Sequence, residues 1–157
     1  MVIRLQTEDF DLSDEFERLR ARCNGVGAIV SFVGLVRDAG DGEHIHALTL
    51  EHYPAMTEKA LIGIADEATR RWPVSEIAVI HRFGDLDPGD QIVLVLVASP
   101  HRREAFLACE YVIDALKTRA PFWKKEHAGG GERWVQAAEA DEAALATWSK
   151  TADGSGR

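Results

Sequence analysis

Four cations, Lys117, Arg119, Lys124 and Lys125, crowd into residues 116–126 (LKTRAPFWKKE) with no acid before Glu126, in a chain of formal net charge −8. Between residues 100 and 125, six Lys/Arg stand against three acids, a balance of +3 that leaves −11 for the rest of the chain. An acidic protein that gathers positive charge in one place is equipped to hold an anion there. Pro121 disfavours the α region for Ala120, so a helix that reaches Lys117 must stop near Arg119. Phe122 and Trp123 then give the returning chain apolar surface to bury, which fixes the nearby ammonium groups. The bland alternative is a solvated helix end whose lysines complement the helix dipole.

Three more residues belong with these. Arg37 follows the first core strand, and His101 and Arg102 open a long helix, where Ser99-Pro100-His101-Arg102 forms a candidate phosphate seat. Arginine grips a phosphate through two parallel hydrogen bonds, and lysine supplies a mobile point charge. Residues 102 and 117 lie about 22 Å apart along a helix that rises about 1.5 Å per residue. They cannot meet around one small ligand within one chain. If both ends serve one site, a second copy supplies one of them, and a homodimer with shared pockets follows. Two lysines crowded into such a pocket repel, which favours one neutral amine as base or nucleophile. Strand alternation leaves open whether Lys124 or Lys125 faces inward.

Other candidates carry less. His44 and His46 can share a strand face, with His52 beyond them, but no further ligand follows at a zinc-site spacing. Cys109 sits in an apolar stripe and reads as core, and Cys23 has no base beside it in sequence. The four tryptophans read as packing anchors, and the glycines at 129–131 lack the helix and lysine of a phosphate loop.

The elements that must position these groups follow from the pattern. At 157 residues, 46% hydrophobic and 28% charged, the chain reads as one domain over residues 1–150 with a disordered tail at 151–157. The longest apolar run, residues 92–98, is too short to span a bilayer, and the N-terminus lacks a signal-peptide layout. Two cysteines make no disulfide framework. These features point to the cytoplasm, and the acidic balance argues against a nucleic-acid surface. Strands are expected at 2–5, 27–35, 46–53, 76–83, 91–99 and 132–137. Helices are expected from Asp11 or Ser13 to about Cys23, over 57–72, from Pro100 (capped by Ser99) to about Thr118, and over 139–149. Met56 and Phe106 are placed on the inward faces of their helices. The segment at 38–43 (DAGDGE), rich in Gly and Asp, reads as a mobile loop, and the sequence leaves open whether it closes on a ligand. Helices and strands mix without strict alternation, so the class is α+β.

Four segments carry a resemblance: LTLEHYPAMTEKAL (48–61), VIHRFGDLDPGD (79–90), SPHRREAF (99–106) and LKTRAPFWKKE. In order and spacing they resemble the large, catalytic subunit of molybdopterin synthase, the MoaE family, over roughly residues 29–135. The resemblance implies an α/β hammerhead-type fold with an additional β subdomain. It also implies a homodimer at the centre of a heterotetramer, each protomer binding one small ubiquitin-like sulfur-carrier subunit. That partner would insert a thiocarboxylated Gly-Gly tail, and the pocket would convert cyclic pyranopterin monophosphate to the dithiolene of molybdopterin in two sulfur additions. Carried over by position, Lys117 and Lys124 match the catalytic lysines. Arg37, His101 and Arg102 match the substrate-binding residues, the last two reaching across the dimer, with Leu35, Val36, Lys125 and Glu126 flanking them. No metal site and no cofactor of the protein's own is implied. Ala138 departs from relatives, which often carry another arginine there, so one anion contact is absent or supplied by Arg133. The rival reading is a non-catalytic module that binds a ubiquitin-like tail or a phosphorylated ligand.

Overall fold

The computed structural model describes residues 1–40, 43–135 and 139–150. Its first sheet has the order β1-β5-β7-β2, from β1 (Val2–Gln6), β2 (Ala28–Leu35), β5 (Glu76–Arg82) and β7 (Gln91–Ser99). Only β1 and β5 run parallel; β5–β7 and β7–β2 are antiparallel. β7 is apolar residue after residue because both its faces are covered. Val95 and Val97 pack under α2 (Pro54–Arg71) and α3 (Arg102–Arg119), against Leu61, Ile64, Tyr111 and Val112. Leu94, Leu96 and Ala98 face Phe10 and Leu19 around α1 (Leu12–Ala21). β2 was expected to be buried but is mostly half-exposed, because it lies at the sheet edge.

The second sheet is the added β unit. β3 (Ala39–Gly40), β4 (Glu43–His52), β8 (Phe122–Ala128) and β9 (Gly131–Val135) follow in that order, and β6 (Gly84–Leu86) pairs with β4. β8 and β9 form a hairpin whose tight end uses Gly131 at φ 120°. α4 (Glu139–Lys150) packs on α3. Among the described residues, two sheets and four helices make the α+β class plain.

Several boundaries differ from expectation for local reasons. α2 starts at Pro54, not after it, because proline at the first helical position loses no intrahelical bond. α3 starts at Arg102 with His101 as its N-cap, two residues later than expected. Ser99 stays in β7, where its hydroxyl donates to the Pro73 carbonyl at 2.8 Å and accepts from the His101 amide at 3.3 Å. Met56 and Phe106 point outward, 60% and 62% exposed. On α3 the inward stripe is Ala105, Ala108, Cys109, Val112 and Leu116, whose small members let the helix settle close to β7. His44 and His46 do share a face, with ring centroids 4.9 Å apart, but His52 packs elsewhere, between Phe83 and Phe122.

Candidate functional site

A cavity of about 760 Å³ opens where the C-terminal end of α3, the end of β2 and the strands β4 and β8 converge. Phe32, Val93, Ile113, Leu116 and Phe122 make much of its wall apolar. Into it come Arg37, His81, Lys117, Lys124, Glu126 and Asp141, with Leu35 and Val36 also on the lining.

Local sequence explains the convergence. α3 stops at Arg119 because Ala120, ahead of Pro121, takes an extended conformation at φ −80°, ψ 128°. The chain turns straight into β8, so Lys117 on the last helical turn and Lys124 on the strand meet one space. The register of β8 against β4 decides what alternation in the sequence left open. Phe122, Lys124 and Glu126 share the cavity face. Lys125 points the other way, its Nζ 3.0 Å from Glu132 Oε2 and 5.2 Å from the Trp134 ring centre. Lys125 therefore does not line the cavity. Arg37 is brought in by the end of β2, where the register with β7 shifts between Gly34 and Leu35. Glycine is required before that shift, since a Cβ on Gly34 would lie 2.7 Å from Val93 Cγ1.

Each lysine has its own carboxylate. Lys117 Nζ lies 3.4 Å from Asp141 Oδ1, and Lys124 Nζ lies 3.5 Å from Glu126 Oε1. The expected repulsion between the two amines is therefore offset within the protomer. Glu126 is only 4% exposed and also accepts from Arg133 Nη2 at 2.9 Å, so a buried carboxylate sits between two cations. Arg119 leaves the basic cluster altogether: its Nη1 donates to Glu67 Oε2 at 2.9 Å and to the Tyr111 hydroxyl at 3.0 Å. Burial would raise the Glu67 carboxyl, but hydrogen bonds from Arg119, Tyr111 and Arg71 outweigh it and hold the pKa at about 2.

His101 and Arg102 lie elsewhere. With Gly27, Pro100 and Arg103 they line a second cavity of about 320 Å³, at the opposite end of α3 from Lys117. Gly27 has to be glycine, because a Cβ there would collide with the Pro100 carbonyl oxygen. Within one protomer the two sets of cations open into separate spaces. Ala138 and residues 41 and 42 of the 38–43 loop lie outside the described residues, as does the 151–157 tail.

Two cavity residues escaped the sequence reading. Asp141 arrives from α4, more than twenty positions from Lys117, and no spacing rule links them. His81 did leave a signal: a histidine that follows the apolar run 77–80 within a strand, EIAVIHR. Burial pushes its imidazole down to about 4, against the opposing pull of the Arg82 carbonyl.

A half-apolar pocket with two primary amines and a guanidinium can bind an anion and bring an amine to a carbonyl. Known proteins share the arrangement's framework. The family model described as MoaE protein matches residues 5–119. A molybdopterin synthase catalytic subunit of Ralstonia nicotianae is 55% identical over 151 residues, which cover 96% of this chain and 86% of that one. Among solved structures, a molybdopterin biosynthesis MoaE protein from Burkholderia ambifaria aligns at a TM-score of 0.82 and 55% identity, over 94% of this chain and 97% of that one. Molybdopterin synthase from Staphylococcus aureus aligns at 0.77 and 35% identity, over 85% and 96%. With sequence and backbone agreeing along nearly its whole length, the chain belongs to the MoaE family.

Proposed function

We propose that this chain is the catalytic subunit of a molybdopterin synthase, a cytoplasmic sulfurtransferase. It takes sulfur from the C-terminal thiocarboxylate of a small ubiquitin-like subunit and delivers it to cyclic pyranopterin monophosphate, forming the dithiolene of molybdopterin. The observation that carries this reading is the meeting of Lys117, Lys124 and Arg37 in one cavity with apolar walls. A slender Gly-Gly tail needs a passage without bulky polar obstruction, and its charged end needs cations at the bottom. Lys117 acts at the tail carbonyl, in proton transfer or transient covalent contact, and Lys124 supports the same chemistry. Arg37 holds an anionic part of the substrate.

The remaining phosphate contacts come from His101 and Arg102 of a second copy, whose cavity at the start of α3 is unsuited to a lone protomer's reaction. The assembly is a homodimer with one small subunit on each outer side. Among the described residues no helix is long and apolar enough to cross a membrane.

The test combines this protein, a thiocarboxylated small subunit and the cyclic pterin phosphate, and assays dithiolene product. Product should form, and Lys117→Ala should abolish it while the small subunit still binds. A protein that binds the tail but yields no product with all components verified would be a recognition module and not an enzyme.

A further inference from the structure

The next-to-last residue of β5 is polar, and the lysine chemistry has no use for it. His81 lies on the same face of β5 as Ile77 and Val79, the face packed toward α2 and α3, and it lines the main cavity among Val93, Ile113, Leu116 and Phe122. Phe122 stacks on the imidazole, with centroids 4.0 Å apart and planes 21° from parallel. The ring is thus fixed in plane and in position.

Its tautomer is fixed as well. Nδ1 stands 2.8 Å from the carbonyl oxygen of Arg82. A carbonyl only accepts, so Nδ1 carries the proton, and the neutral ring leaves Nε2 as a bare acceptor. Among the described residues Nε2 has no hydrogen-bond partner, yet it is not one of the sealed polar atoms of the interior, as Nδ1 of His52 is. The accessible space beside His81 is the cavity itself. Among the described residues, every other polar side chain on the lining is charged: Arg37, Lys117, Lys124, Glu126 and Asp141. Of the described lining side chains, His81 alone offers a neutral lone pair.

We infer that His81 is a ligand-contacting residue of this cavity, its Nε2 accepting a hydrogen bond from an N–H of the bound guest. The inference rests on the function proposed above, which supplies two guests with such a donor: the pterin heterocycle and the peptide N–H groups of the carrier tail. A ring held neutral down to about pH 4 is too weak a base for efficient proton abstraction near pH 7. Its part is orientation: it turns one face of the guest toward the amines, and the cations hold the charged end.

Two measurements on the assembled enzyme test this. With isotope-labelled histidine nitrogens in the wild type, Nε2 of His81 should resonate as an unprotonated nitrogen at neutral pH. It should shift on addition of the cyclic pterin phosphate if the heterocycle is the donor, or of unthiolated small subunit if the tail is. His81→Phe keeps the stack on Phe122 and removes the acceptor. It should raise the KM for the pterin, or the Kd for the small subunit, about five- to tenfold, with kcat less affected and Tm retained. His81→Gln should recover part of the loss. An Nε2 resonance unmoved by either guest, or wild-type constants for both in His81→Phe, would overturn the assignment. Wild-type protein that makes no dithiolene would instead sink the proposed function, and the resonance arms would still read whether His81 meets a guest.

Discussion

Lys117 and Lys124 differ in what holds them, and their variants should differ accordingly. Lys117 pairs with an aspartate from α4 on a half-exposed side chain, so it can swing to a new anionic partner at little expense. Lys117→Ala should lower product formation by about 100-fold or more with the fold intact and the small subunit bound within about threefold of wild-type affinity, as read by turnover and calorimetry. Lys124 is set by Glu126, a buried carboxylate that also holds Arg133. Because both cations are partly solvated, Glu126→Gln should cost about 1–2 kcal/mol in denaturant unfolding, less than a fully buried pair would. His81 makes a pH prediction. Its folded pKa of about 4 lies below the ordinary 6.5, so the unfolded chain takes up a proton that the native state refuses. The associated stability is present above pH 6.5 and is lost as pH falls toward 4. His81→Phe should flatten the unfolding midpoint across that window; a midpoint that drops as steeply in the variant would refute it.

At the scale of elements, the helices are clamped by a charge network that draws Arg119 out of the basic stretch. Arg71 donates to Glu67 Oε1 at 2.6 Å and to the Trp148 carbonyl at 3.1 Å, and Arg119 joins Glu67 from α3. Trp148 Nε1 in turn donates to Asp114 Oδ2 at 2.8 Å, so α2, α3 and α4 are tied together. Glu67→Ala should destabilise by about 2 kcal/mol at neutral pH. The depressed carboxyl contributes stability that is present above pH 4.5 and disappears as pH falls toward 2, so wild type and variant should converge there. A gap in unfolding free energy that persists at pH 2 would contradict the clamp. What was legible follows from element length. β7, with an apolar run of seven residues at 92–98, and α3, stopped by Pro121, declare themselves. β6, at three residues, is too short for any alternation to register, and its pairing with β4 is a tertiary fact. Phe106 misled because a large apolar side chain outweighs two alanines in any reading by hydrophobicity, whereas close helix–sheet packing selects Ala105 and Ala108. Arg119 misled because neighbours in sequence need not face one space.

The whole molecule turns on the two ends of α3. Eighteen helical residues separate His101 and Ala120, and the cavities at those ends share no lining residue. The spacing of the charges along α3 alone requires this separation, since the rise of a helix cannot be folded back on itself. What the chain alone did not reveal is how unequal the two spaces are, about 760 Å³ against 320 Å³, with the apolar walls all at the lysine end. Under the proposed function, the lysine cavity at one end and the phosphate seat at the other become one site only across a twofold axis. Mixing two inactive variants tests that most directly: Lys117→Ala and Arg102→Ala are each purified, combined in equal amounts, allowed to exchange subunits, and assayed for dithiolene formation. Half of the dimers should then be hybrids with one intact site, restoring about a quarter of wild-type activity. If activity stays at the level of the separate variants although the hybrids have formed, each protomer works alone and the shared site does not exist.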